Sequence, residues 1–191
     1  MKLRAALLAT APMALAASVA YPQAPKTHQD PDIVTHFNTR VWAYVELRSK
    51  LENGLPALTV TENPAETRKV GRALAAKIRA ARAKAKQGDM LTPAIGAEFR
   101  KALLREMNAH TWNVIMDDNP GDFEAQINGA YPEGKPLSTV PANILAVLPK
   151  LPHDIEYRFV GRHLILLDTR AGMILDRIPY AIQSPTAKSV R

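Results

Sequence analysis

The chain has 191 residues, no cysteine, 25 basic and 18 acidic side chains, and a formal charge of +7 at pH 7. The lack of cysteine removes disulfides, thiol catalysis, thiol redox exchange and thiolate zinc sites. No segment after the first twenty residues is apolar over a length that would cross a bilayer.

The chain begins with two basic residues, Lys2 and Arg4, followed by an uncharged run from Ala5 to Ala20 that ends in small residues. This is the three-part layout of a secretory signal. Ser18 and Ala20 fit the narrow pockets of a signal peptidase, so the expected cleavage is after Ala20 and the expected location is the periplasm or the exterior. The run is too short, and is interrupted by Pro12, to serve as an anchor. With Lys2 and Arg4 removed, 23 basic residues face 18 acidic ones, a charge of +5. The expected organisation is a signal at 1–20, a flexible lead-in at 21–29, one domain at 30–182 and a disordered tail at 183–191.

Asp30-Pro31-Asp32 combines a capping carboxylate, proline at the first helical position and an acid at the positive end of the dipole. Val34, Phe37, Val41, Tyr44, Leu47 and Leu51 then form an apolar stripe that Asn53-Gly54 ends. Asn63-Pro64 repeats the start signal and predicts a second helix to about Gln87, with Val70, Leu74, Ile78, Ala81 and Ala85 inward. Thr92-Pro93 opens a third, with Ile95, Phe99, Leu103, Leu104 and Met107 inward, ending near Asn108 or running on to Asp117.

Turn residues dominate from Asp117 to Pro141, predicting a long surface loop. A short helix near Pro141 carries Ile144, Leu145 and Leu148. The period then changes to two. Ile155, Tyr157 and Phe159 alternate with Glu156 and Arg158, Gly161-Arg162 has glycine first as a type II′ hairpin requires, and His163–Leu167 is apolar on both faces, which suits a central strand. Met173–Ile178 completes the pattern. The expected fold is α+β, with three to four helices packed on a C-terminal three-stranded antiparallel meander.

The second helix carries Arg68, Lys69, Arg72, Lys77, Arg79, Arg82, Lys84 and Lys86 with no acid among them. Arg68, Arg72, Arg79, Arg82 and Lys86 fall in a narrow sector opposite the Val70-Leu74-Ile78 stripe. In an exported protein such a face attracts anionic lipid, lipopolysaccharide, acidic polysaccharide or an envelope protein; a solvated face has the same pattern. Export turns the charge away from nucleic acid, and no DNA or RNA motif accompanies it.

Asp117, Asp118, Asp122 and Glu124 have the chemistry of paired acid–base groups or calcium ligands, but their spacing is not that of an EF-hand and suits turn formation. No nucleophile elbow, phosphate loop, dinucleotide fingerprint or zinc-protease helix is present, so no catalytic residue and no cofactor are assigned. A small hydrolase using Asp117, Asp118 or His163 is the enzymatic alternative. A metal-binding protein using His153, His163 and Asp168 at an end of the meander is another.

Arg48–Leu58, Gly88–Pro93 before Phe99-Arg100, Leu151-Pro152 and above all Tyr157-Arg158-Phe159-Val160-Gly161-Arg162 within Glu156–Asp168 resemble an uncharacterised family of exported bacterial proteins. The resemblance covers most of the chain after the signal and implies export and one domain, but no activity. The hairpin is also distantly similar to the C-terminal strands of periplasmic metal-homeostasis proteins, whose histidine-rich segment this chain lacks.

Overall fold

The structure, a computed structural model, describes residues 30–56 and 64–185. The expected signal, lead-in and Asn63 cap, and residues 186–191, lie outside the described residues. Among the described residues five helices precede a three-stranded sheet: α1 (Pro31–Glu52), α2 (Pro64–Ala81), α3 (Pro93–Glu106), α4 (Ala109–Asp117), α5 (Ala142–Val147), β1 (Ile155–Val160), β2 (His163–Asp168) and β3 (Met173–Ile178). The fold is α+β, and the sheet is an antiparallel meander in the order β1-β2-β3.

The helix starts follow the capping chemistry. Asp30 accepts from the Asp32 N–H at 2.9 Å, and Thr92 accepts from Ile95 N–H at 3.3 Å. The stretch from Pro93 to Asp117 is two helices, because Met107 turns extended and the Asn108 side chain caps α4 by accepting from Thr111 N–H at 2.9 Å. Asn143 ties the break to α5, donating to the Glu106 carbonyl at 3.2 Å and to the Thr111 hydroxyl at 3.1 Å.

Phe37, Phe99 and Tyr157 meet at the centre of the core, with ring centroids 5.2 to 6.4 Å apart. Each such ring contributes roughly 2–3 kcal/mol through burial, and together they fasten α1 and α3 to the inner face of β1. Leu164, Leu166, Leu175 and Ile178 extend this core, and Leu74 and Ile78 of α2 close it. Two expected inward positions are exposed: Leu104 at 72 %, since Ala102 and Leu103 take the inner side of α3, and Ala81, at the end of α2. On α1 the buried stripe continues through Arg48, which was not among the expected inward residues.

The other face of the sheet is also covered. Val160, Ile165, Leu167 and Ile174 pack against Phe123, Ala125 and Tyr131 from the long loop. β2 is therefore apolar on both faces because helices cover one and the loop covers the other. Gly161 opens the β1–β2 turn with φ +54°. Asn119 clamps it, accepting from Gly161 N–H at 2.9 Å and donating to its carbonyl at 3.0 Å.

α2 ends at Ala81, six residues before the expected Gln87, because tertiary partners capture the chain beyond it. Asn128 donates to the Arg82 carbonyl at 2.7 Å. The fully buried Asp176 carboxylate then accepts from the backbone of Gly88 at 2.9 Å, Met90 at 2.7 Å and Leu91 at 2.8 Å. These bonds replace helical ones and fix the turn into α3.

Candidate anion-binding site

α2 packs tightly on the β2–β3 turn because residue 71 is glycine. A Cβ there would lie 2.9 Å from the Arg170 carbonyl oxygen. This approach forms a cleft of about 500 Å³ between α2, the Ala130–Glu133 segment and the turn Thr169–Gly172. Arg68, Arg72 and Arg79 line it from the helix and Arg170 from the turn, with Glu133 as the lining acid.

The helix arginines are exposed, and no carboxylate among the described residues forms an ion pair with Arg68, Arg72 or Arg79. Arg72 Nε donates to the Arg68 carbonyl at 3.4 Å, and Arg79 Nε to the Asn128 carbonyl at 3.3 Å. Among the described residues nothing else engages their terminal guanidinium nitrogens, a geometry suited to planar, two-pronged contacts with phosphate or carboxylate.

The turn forming the opposite wall is held from inside. Asp168 is fully buried at the end of β2, where it accepts from the Tyr44 hydroxyl at 2.5 Å, from Arg48 at 3.2 Å and from Ala171 N–H at 2.9 Å. Burial pushes the Tyr44 hydroxyl far above its ordinary range, and the Asp168 charge and hydrogen bond add to the effect. Tyr44 therefore stays a donor. Arg170 Nε lies 3.0 Å from Glu52, which also approaches Arg48 at 3.6 Å, so the turn is tied to α1 by charge.

The five predicted basic residues separate. Arg68, Arg72 and Arg79 share the cleft. Arg82 lies past the end of α2 and turns inward, donating to the Leu175 carbonyl at 3.3 Å with its guanidinium 5.2 Å over the Tyr44 ring. Desolvation by burial lowers its pKa. It is a packing residue because its partners, Leu175 and Tyr44, lie in the core. Lys86 sits on the turn beyond the helix, outside the cleft lining.

The proposed metal ligands do not converge. His163 and Asp168 stand at opposite ends of β2, about 16 Å apart at the usual rise per residue, and His153 is exposed beside Asp154. Among the described residues no three His, Asp, Glu or Cys side chains could hold an ion together. His163 accepts from Tyr180 N–H through Nδ1 at 3.1 Å and lies 4.0 Å from Asp122. Asp118 accepts from Thr139 at 3.2 Å, and neither it nor Asp117 or His163 borders the arginine cleft.

Arg170, Tyr131 and Thr169 also line the cleft, and residue-by-residue reading misses them because they come from distant segments. The one sequence signal is Gly71, a glycine inside a helix pattern, which marks close approach. No helix among the described residues is long and apolar enough to cross a membrane. Compared with protein-family models, curated proteins and solved structures, the chain matches none.

Proposed function

We propose that this chain is an exported, non-enzymatic binding module that engages phosphate-bearing anionic surfaces of the envelope, such as anionic lipid or lipopolysaccharide, through Arg68, Arg72 and Arg79. The observation that carries this reading is the grouping of three exposed arginines, without carboxylate partners among the described residues, along one wall of an open cleft. Ordinary surface arginines are scattered or paired. The three-part N-terminal sequence supports the compartment in which such a surface is met.

Co-sedimentation with phosphatidylglycerol vesicles tests it, with phosphatidylcholine vesicles as the reference. Each arginine close to an anionic surface contributes about 1 kcal/mol, so replacing all three by alanine should weaken binding roughly 100-fold. Added salt should have the same direction of effect. Replacing Lys50, Lys84 and Arg105 instead removes the same charge away from the cleft and should cost much less. Equal losses in the two triple variants, or binding indifferent to salt, would refute the assignment.

A further inference from the structure

The two edges of the sheet are treated differently. At the β3 edge, Asn128 N–H donates to the Ile174 carbonyl at 2.8 Å, Ile174 N–H to Gly129 at 2.9 Å, and Tyr131 N–H to Gly172 at 2.9 Å, while Arg82 takes the Leu175 carbonyl. That edge is closed.

At β1 the two-residue turn makes Val160 and His163 a hydrogen-bonded pair, and alternation extends this to Arg158 with Ile165 and Glu156 with Leu167. The N–H and C=O groups of Ile155, Tyr157 and Phe159 therefore point away from the sheet. Ile155 N–H reaches the Pro152 carbonyl at 3.2 Å, and Phe159 N–H reaches the Ser138 hydroxyl at 2.7 Å. Between them, the backbone of Tyr157 meets no hydrogen-bond partner among the described residues. It faces a groove of about 630 Å³ whose walls include Val140, Leu145, Ala146 and Leu151.

We infer that this groove docks an extended peptide segment of a partner protein, with one peptide residue pairing with the Tyr157 backbone and its apolar side chain entering the groove. An unpaired donor and acceptor on one strand residue match the acceptor and donor of one extended residue in an antiparallel pair. Unpaired strand edges are otherwise covered, as the β3 edge is. The rim selects charge: Glu156 and Arg158 satisfy each other, whereas Lys150 is exposed with no ion pair among the described residues. The peptide therefore carries an acidic residue next to its apolar one. This site is lined by different residues from the arginine cleft and stands independently of the function proposed for it.

The full chain is followed by amide exchange and titrated with capped pentapeptides having a central leucine, valine or phenylalanine and one glutamate. In the free protein the Tyr157 amide should exchange at least 100-fold faster than the ladder-bound amide of Arg158, and peptide should slow it. N-methylation of the central peptide residue removes the donor and should weaken binding roughly tenfold. Lys150→Glu should cost roughly threefold. Ala146→Trp, at an exposed position, should fill the groove and abolish binding with the melting temperature unchanged. The inference is overturned if Tyr157 is as protected as Arg158 in the free protein, including the case where deleting residues 21–29 exposes it and so identifies the chain's own lead-in as the cover. It is also overturned if no pentapeptide binds or if N-methylated peptides bind equally well.

Discussion

Asp176 offers a sharp test of the packing argument. Its carboxylate is fully buried, and its two oxygens divide four backbone donors: Oδ1 accepts from Gly88 at 2.9 Å and from Arg177 at 2.7 Å, and Oδ2 from Met90 at 2.7 Å and Leu91 at 2.8 Å. Asparagine has nearly the same shape but only one acceptor oxygen, so in either orientation its amide nitrogen faces two N–H donors. A buried donor left without an acceptor costs about 1–3 kcal/mol, which puts Asp176→Asn at about 4 kcal/mol. Alanine leaves all four donors unmet and opens room for water, so it should be only slightly worse. Against a total stability of about 5–15 kcal/mol, either change is severe. Urea unfolding followed by circular dichroism measures both, the midpoint falling with an unchanged slope. An asparagine variant within about 1 kcal/mol of the parent would refute the claim that this carboxylate organises the turn between α2 and α3.

Other expected outcomes concern the cleft, the hairpin and the N-terminus. Gly71→Ala improves helix propensity by about 1 kcal/mol but places a Cβ 2.9 Å from the Arg170 carbonyl; overpacking should win, giving a net loss of about 1–2 kcal/mol in urea unfolding and weaker vesicle binding, and a stabilised variant would contradict the close contact. Burial lowers the His163 pKa below its ordinary 6.5, with Asp122 opposing the shift and Arg177 and Arg162 adding to it. The unfolded chain then binds the proton first, so this contribution to stability is present above about pH 6.5 and lost as the pH falls through that value toward the folded pKa. His163→Gln should flatten the stability profile between pH 7 and 5.5, and an equally steep profile would exclude His163 as its source. If the chain is exported as proposed, N-terminal sequencing of protein recovered from a secreting bacterial host should begin at Tyr21, whereas a retained Met1 would contradict signal cleavage.

The hairpin and the helix starts were legible in the sequence because their causes are local. Gly161 supplies the positive φ of its turn, alternation from Ile155 to Phe159 sets the strand's faces, Asp30 and Thr92 accept from N–H groups two and three residues away, and the proline after each presets a helical φ. Of the candidate site, the charge on Arg68, Arg72 and Arg79 was visible, whereas Gly71 takes its meaning only from the Arg170 carbonyl in the β2–β3 turn against which it packs.

Tertiary structure decided whatever depends on a distant partner. Arg48 reads as a polar interruption of the α1 stripe until Asp168 stands beside it, 120 positions later in the chain. Arg82 shares its helical sector with Arg79, yet Asn128 and Leu175 end the helix and draw it inward. The long loop looks like solvent-exposed turn chemistry, but Phe123 and Tyr131 close the second face of the sheet. Periodicity registers only which side of an element is apolar. Which of the polar residues is buried, and which arginines remain free to meet an anion, follows from where the chain returns to satisfy its buried charges and backbone groups.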